Sequence, residues 1–157
     1  MLDGLDIDIL KELEKNARIS YRKISEKCKI SVGTVHNRIQ KLNEEGIIHG
    51  YLLDMDERKL NYNLKAVIFL VITGTKIKDM MKKLSTYPQV TNAYSISGNI
   101  SAVIICRFKE MREFQEFTNT LNEEEDIQMV DSNIVLDIFK EDLHHLLSSE
   151  NKSGEKE

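Results

Sequence analysis

Hydrophobic residues in the first fifty positions repeat with the period of an α-helix. Between Leu2 and Leu13, apolar side chains fall at helical spacing, and Asp3 stands near their start as a capping residue. These features predict a first helix over residues 3–15. A second capping residue, Ser20, predicts a short helix that ends near Cys28.

A third helix is predicted from Ser31, again because of a capping side chain. Val35, Ile39 and Leu42 follow at positions i, i+4 and i+7 and form a narrow apolar stripe. Residues 31–42 carry the predicted helix, which ends near Glu45-Gly46, where glycine suits the position after a helix end. Three short helices, the last two joined by a tight turn, predict a helix-turn-helix. A plain three-helix bundle is the alternative.

The outward face of the third helix favours the helix-turn-helix. An ordinary exposed helix on a chain with 26 acidic residues would mix charges of both signs. This face contains no acid, as a surface beside phosphate groups requires. Its members are small or form hydrogen bonds, and they are Val32, Gly33, Thr34, His36, Asn37, Arg38, Gln40 and Lys41.

The rest of the chain shows the pattern of alternating strands and helices. Glycine-bounded apolar residues at 46–54 predict a strand, which a polar stretch follows. Apolar runs predict four further strands, over residues 66–73, 90–97, 100–108 and 127–139. Helical spacing predicts one helix that begins at Ile77 and is ended by Tyr87-Pro88, and another over residues 111–121.

The predicted order βαββαβ belongs to the α+β class and to the ferredoxin-like sandwich, in which both helices cover one face of an antiparallel sheet. The other face needs a cover, and a second subunit is expected to supply it. The predicted organisation is a helix-turn-helix domain at 1–50, a linker with a strand at 51–63, a βαββαβ domain at 64–141 and a disordered polar tail at 142–157.

The net charge of −4 hides an uneven distribution of charge along the chain. Residues 16–43 contain seven basic side chains and one acid, a local net charge of +6, whereas residues 51–157 contain 13 basic and 18 acidic side chains. A confined basic surface is typical of phosphate binding, because phosphate neutralisation depends on the charges at the contact. A solvated helical face is the alternative interpretation.

Composition indicates a core-forming protein, since 41% of the residues are hydrophobic. The sequence contains no run of about 18 apolar residues and no basic leader before an apolar stretch, so a cytoplasmic location without a membrane partner is expected. Cys28 and Cys106 stand alone and are expected to be reduced packing residues. No metal and no cofactor is predicted.

Four fragments, taken in order, carry a resemblance to a known family. They are Leu2 to Leu10 (LDGLDIDIL), Asn16 to Ser20 (NARIS), Ile30 to Leu42 (ISVGTVHNRIQKL) and Glu45 to Tyr51 (EGIIHGY). With the βαββαβ pattern behind them, the chain resembles the Lrp/AsnC family of feast/famine regulators.

The resemblance implies a transcriptional regulator that binds double-stranded DNA and dimerises through its C-terminal sheets. It also implies further assembly, often into tetramers or octamers, and an amino acid or other small molecule bound between dimers. Because such a dimer is two-fold symmetric, its DNA site is expected to be a pseudo-palindrome.

The chain departs from the family pattern at two places. The turn before the third helix usually carries glycine, and here it carries Lys29. The family's Gly-x-x-Asp, associated with the effector pocket, reads Gly98-Asn99-Ile100-Ser101, which makes Gly98, Asn99 and Ser101 the effector-binding candidates. A serine hydroxyl is neutral and argues against an ordinary amino acid as effector. A plain glycine turn without a ligand is the alternative.

Candidate DNA contacts follow from the geometry of a helix-turn-helix. The N-terminal part of its last helix meets base edges, while the preceding helix crosses the phosphate backbone. Asn and His side chains suit adenine and guanine, and small apolar groups suit the thymine methyl. The base-contact candidates are Val32, Gly33, Thr34, His36 and Asn37. The phosphate-contact candidates are Arg18, Tyr21, Arg22, Lys23, Ser31, Arg38 and Lys41. The alternatives are an ion pair of Arg38 with Glu26 or Glu45, and a Tyr21 that only packs.

Two other classes of function remain open from the sequence. The same helix and oligomer could serve an architectural protein that wraps DNA with little specificity. Sirohaem decarboxylases resemble the family in both halves, and their chemistry would need cationic or imidazole groups in the C-terminal domain. The histidines available there are the adjacent His144 and His145, at the edge of the tail. An enzyme is therefore not expected.

Overall fold

The computed structural model describes residues 2–141 and Leu147. The chain divides into two compact units, of which the first comprises Met1–Leu53 with Lys140–Glu157 and the second is Asp54–Phe139. Apart from Leu147, the tail predicted at 142–157 lies outside the described residues. No helix within the described residues is long and apolar enough to cross a membrane.

The first unit contains three helices, α1 (Gly4–Lys15), α2 (Tyr21–Cys28) and α3 (Val32–Glu44). A side chain caps each of them, because Asp3, Ser20 and Ser31 each accept a hydrogen bond from a backbone N–H in the first turn of the helix that follows. Apolar side chains from all three helices form one core. Its buried members are Ile9, Leu13, Ile24, Val35 and Ile39.

The turn between α2 and α3 is tight and places Lys29 in a left-handed conformation, with φ 56° and ψ 44°. This is the position at which the family usually has glycine. A Cβ in this conformation crowds the backbone at a cost of about 1–2 kcal/mol. The bond from the Ile30 N–H to the Ser25 carbonyl, at 3.1 Å, closes the turn. The fold therefore tolerates a small strain at this turn.

The second unit is a four-stranded antiparallel sheet with two helices. Its strands are β1 (Leu64–Ile72), β2 (Val90–Ser95), β3 (Ala102–Phe108) and β4 (Ile127–Ile134), and its helices are α4 (Ile77–Leu84) and α5 (Met111–Asn122). The order across the sheet is β2-β3-β1-β4. The βαββαβ sandwich predicted from the sequence is therefore confirmed.

Alternate residues of β1 and β3 point towards the helices. Ile68 pairs with Ile104 at the centre of the sheet, and both are fully buried. Met80 and Leu84 of α4 and Phe117 of α5 belong to the same core. Cys106 also lies in this core, and burial raises the pKa of its thiol to about 12, as expected for a packing residue.

The opposite face of the sheet is apolar and less buried. Side chains from its two central strands are partly exposed, and Tyr94 and Met129 on the edge strands are 49% and 44% exposed. The central members are Val67, Phe69, Val71, Val103 and Ile105. The two helices of this unit cover the other face of the sheet, which carries Ile68 and Ile104.

Two predicted strands differ from the structure. Residues 46–54 form no strand, and a short 3₁₀ turn, Arg58–Leu60, precedes β1. The last strand ends at Ile134 and not at 139, because its neighbour β1 begins at Leu64. The final bond of this edge runs from the Val135 N–H to the Lys65 carbonyl. Beyond it, Leu136 and Phe139 are 86% and 98% exposed.

Candidate nucleic-acid interface

The first turn of α3 is fixed by its capping residue. The Ser31 hydroxyl accepts a hydrogen bond from the Thr34 N–H at 3.0 Å and lies 2.8 Å from the Thr34 hydroxyl. Val32 is 46% exposed, and a Cβ on Gly33 would meet only the Ser31 hydroxyl, at 3.8 Å. The start of the helix therefore presents small side chains with open space above Gly33.

His36 and Asn37 stand exposed on α3, next to the buried Val35. The His36 Nδ1 lies 3.5 Å from the Asn37 Oδ1. The ring of Tyr21, at the start of α2, packs edge-to-face against the imidazole of His36, with ring centroids 6.0 Å apart. The two candidate base readers are thus adjacent on the solvent side, and α2 contributes an aromatic neighbour.

Arg38 is bound to the start of α1. Its Nη1 donates to Asp3 Oδ2 at 2.6 Å and to Asp6 Oδ1 at 2.8 Å. The same two acids form a capping box, in which each carboxylate accepts the backbone N–H of the other. Asp6 is 3% exposed. These contacts join α3 to α1 through one guanidinium and two carboxylates.

The ion pair shifts the protonation equilibrium of the exposed acid. The hydrogen bond from Arg38 is the largest of the contacts that hold the pKa of Asp3 below its ordinary value. Because the folded pKa is lowered, the contribution of this carboxylate to stability is complete above its ordinary pKa. It is lost as the pH falls through the lowered value.

Other basic residues of the 16–43 segment also have acidic partners. Arg22 pairs with Glu26 at 3.2 Å, Lys41 with Glu45 at 3.7 Å, and Lys27 with Glu12 of α1. Within the described residues, no carboxylate pairs with the three remaining basic side chains, which are Arg18, Lys23 and Lys29. The local charge of +6 therefore overstates the free positive charge, because the count over residues 16–43 left out the acidic partners Asp3, Asp6, Glu12 and Glu45.

The candidate effector residues lie in the other compact unit, in the loop between β2 and β3. Gly98 has φ 119°, a conformation that L side chains rarely adopt, and Asn99 is exposed. The Ser101 hydroxyl accepts from the Ile72 N–H at 3.1 Å and lies 3.3 Å from the Ile72 carbonyl, to which it donates. Ser101 thus fastens the loop to the end of β1.

The chain matches two family models, one in each half. Residues 2–49 match a winged helix-turn-helix DNA-binding family. Residues 65–144, just over half of the chain, match the Lrp/AsnC ligand binding domain. The chain belongs to the Lrp/AsnC family of transcriptional regulators. The resemblance that the sequence motifs carried is thereby confirmed.

Similar proteins match along most of their length. An uncharacterised HTH-type transcriptional regulator of Pyrococcus abyssi is 32% identical over 142 residues, which are 90% of this chain and 97% of the relative. The HTH-type transcriptional regulator Ptr1 of Methanocaldococcus jannaschii is 34% identical over 117 residues, 74% of this chain and 79% of that protein.

Solved structures show the same arrangement of helices and strands. AsnC of E. coli superposes with a TM-score of 0.83 at 27% identity, covering 90% of this regulator and 97% of AsnC. A transcriptional regulator of Neisseria meningitidis, solved as a complex with L-Met, gives a TM-score of 0.83 at 26% identity. In that pair, 90% of this chain and 94% of the other are covered.

The acids considered for Arg38 from the sequence, Glu26 and Glu45, pair with Arg22 and Lys41 instead. Sequence reasoning missed Asp3 and Asp6 as the partners of Arg38, and it missed the contact between Tyr21 and His36. The signal for the first was present, because Asp3 and Asp6 have the spacing of a capping box and carry two carboxylates near one helix end. No local pattern indicated the second, since Tyr21 and His36 belong to different helices.

The ion pairs of Arg38 with Asp3 and Asp6 predict that two matched substitutions will lower stability by different amounts. Asp6→Asn should lower the free energy of unfolding by about 1.5–3 kcal/mol, because the buried amide is neutral and has one accepting oxygen where the carboxylate has two, so either Arg38 or the Asp3 N–H loses its partner. Asp3→Asn should cost less than Asp6→Asn, because its ion pair is half-exposed and asparagine caps helices well. Urea denaturation of both full-length variants at one protein concentration measures the difference. Equal losses would contradict a special role for the buried carboxylate.

Proposed function

We propose that this regulator recognises a specific DNA sequence with the first two turns of α3. The observation that carries the proposal is the exposed, acid-free surface formed there, with His36 and Asn37 beside a capped helix start. Acidic side chains return only towards the end of the helix, where Gln40 donates to Glu44 at 2.8 Å. A surface of this kind can approach a major groove lined by phosphates.

Base contacts are assigned to the five residues predicted for them, Val32, Gly33, Thr34, His36 and Asn37. An asparagine amide can make two hydrogen bonds to adenine, and an imidazole can meet a guanine acceptor. The exposed Val32 can contact a thymine methyl, and the absence of a side chain at Gly33 permits a close approach. These contacts would carry the sequence preference.

Phosphate contacts are assigned to the remaining candidates, with one change. Arg38 already donates hydrogen bonds to the carboxylates of Asp3 and Asp6. One guanidinium and two carboxylates together carry a net charge of −1. That charge favours a role in anchoring α3 over a phosphate contact. Lys23 and Arg18 have no carboxylate partner among the described residues and are the strongest candidates. Tyr21, Arg22, Ser31 and Lys41 complete the set.

Two variants separate base reading from phosphate binding. Asn37→Ala should relax the preference at one base position and cost about 1–3 kcal/mol there, because asparagine is assigned to a base edge. Lys23→Ala should weaken binding to all sequences alike and reduce the slope of log K against log salt by about one. Binding-site selection from random DNA, followed by titration at several salt concentrations, measures both.

The controls decide between specific and architectural binding. An unchanged consensus for Asn37→Ala would overturn the base-reading assignment. A selection with the native protein that returned no consensus would favour the DNA-wrapping alternative. Target sites recovered as pseudo-palindromes would support a two-fold symmetric complex.

The open face of the sheet supports a homodimer. A sheet buries an apolar face against another layer, and the exposed side of β1 and β3 has no such layer within its own compact unit. A second copy of the same face would supply one, in an interface that repeats each contact twice. Larger assemblies, such as tetramers or octamers, would need a further surface.

Two methionines of similar exposure test the dimer. Met129 is 44% exposed on the open face of the sheet, and Met111 is 48% exposed on α5 in the helix layer. Met129→Asp should weaken dimerisation by about 10- to 100-fold, the effect expected from losing one buried side chain of this size. Met111→Asp should leave it unchanged. Sedimentation velocity over a concentration series measures both, and an unaffected Met129→Asp dimer would place the interface elsewhere.

We also propose that a small molecule modulates the regulator at the loop containing Gly98, Asn99 and Ser101. The L-Met complex of the Neisseria relative supports a ligand of amino-acid size. Ser101 is already bonded to the backbone of Ile72, so Asn99 and the loop backbone are the better polar contacts. The site contributes a neutral hydroxyl where the family has a carboxylate, which disfavours the ammonium group of an ordinary amino acid.

A thermal-shift screen tests this effector proposal. A ligand that binds only the native state raises the unfolding midpoint. We expect free amino acids to shift the midpoint less than related molecules without an ammonium group. Ser101→Asp, which restores the family pattern, should increase the response to free amino acids. An equal response of both proteins would contradict the role given to position 101.

We infer that the chain acts by binding and not by catalysis. Its two halves match a DNA-binding domain and a ligand binding domain. The imidazoles considered for a tetrapyrrole site, His144 and His145, lie outside the described residues. A regulator of this kind works where the chromosome is, which supports the expected cytoplasmic location.

A further inference from the structure

We propose that Tyr21 positions the imidazole of His36 and thereby determines base specificity without touching a base. The proposal rests on the assignment of His36 to a base edge. It differs from a phosphate contact of Tyr21, which would use the hydroxyl group. Positioning uses the ring.

The geometry places the two rings on neighbouring helices. Tyr21 is the first residue of α2, directly after the capping Ser20. Its ring lies 6.0 Å from that of His36, centroid to centroid, with an angle of 67° between the planes. These values fall within the edge-to-face arrangement that aromatic pairs prefer. The tyrosine is itself 37% exposed, so it stands at the surface and not in the core.

His36 needs such a neighbour because it stands free on the outer face of α3. An exposed imidazole can rotate about two side-chain bonds, whereas a base acceptor is met in one orientation only. The polar contact of the ring within the described residues is to Asn37, at 3.5 Å, the outer limit of a hydrogen bond. The edge-to-face contact with Tyr21 therefore adds a restraint on the orientation of His36 from a neighbouring helix.

Two substitutions separate the ring from the hydroxyl. Tyr21→Phe keeps the edge-to-face contact and removes the hydroxyl, whereas Tyr21→Leu removes the ring and keeps an apolar side chain. His36→Ala first identifies the base position that His36 reads. Binding of each full-length variant to the selected site, and to its versions changed at that position, gives the discrimination.

We expect Tyr21→Phe to keep the discrimination at this position, even if a lost hydroxyl weakens all sequences uniformly. Tyr21→Leu should reduce it by about 2- to 12-fold, the range that an aromatic pair supplies. Undiminished discrimination in Tyr21→Leu would overturn the proposal, and so would an equal loss in Tyr21→Phe.

The outcome for His36→Ala distinguishes failure of the positioning role of Tyr21 from failure of the base-reading role of His36, on which it rests. If His36→Ala changes no base preference, the base-reading role of His36 fails and the positioning role fails with it. If His36→Ala loses a preference that Tyr21→Leu retains, the positioning role fails alone.

A measurement on the free protein guards against a folding defect. The ring proton resonances of His36, followed by NMR, should shift in Tyr21→Leu and stay nearly unchanged in Tyr21→Phe, because a ring current acts over the contact distance. Far-ultraviolet circular dichroism of the two variants should be alike. Unshifted His36 resonances in a folded Tyr21→Leu protein would overturn the proposal.

Discussion

The burial of one narrow stripe of α3 is the constraint on which the candidate DNA surface depends. Val35 and Ile39 are fixed in the core of the first unit, at 0% and 2% exposure. Because side chains of a helix keep their angular spacing, fixing these two residues also fixes the direction of His36 and Asn37. The ion pairs of Arg38 with Asp3 and Asp6 further limit how far α3 can rotate or slide against α1. The outer surface can therefore be polar and still be rigid.

Electrostatics in the first unit serves two purposes that compete for the same residues. Carboxylates of α1 stabilise the helix packing by pairing with Arg38 and Lys27, and each pair reduces the positive charge available to a phosphate. Basic groups without such partners, Arg18, Lys23 and Lys29 among the described residues, keep their full charge. A regulator with a net charge of −4 can thus present a small basic surface to DNA.

The second unit follows a simpler rule, in which one face of the sheet is covered and the other is not. Helices α4 and α5 bury the side of the sheet that carries Ile68 and Ile104. The opposite side keeps its apolar side chains partly exposed, and the proposed cover is the same face of a second copy. At the end of this sheet, Ser101 uses its hydroxyl to hold the β2–β3 loop on Ile72. The residue that departs from the family pattern thus has a role within the fold.

The sequence by itself determined the order of the elements, the family and the outer face of α3. These features depend on local patterns, such as capping side chains, the period of apolar residues and the turn at Lys29. Only the tertiary structure decided the partners of the charged and aromatic side chains. Asp6 and Arg38 are 32 positions apart and Tyr21 and His36 are 15 apart, so no local period relates them. The C-terminal end of β4 and the missing strand at 46–54 were decided in the same way. A strand exists only where a neighbour offers its backbone, and the sequence of one segment does not contain that neighbour.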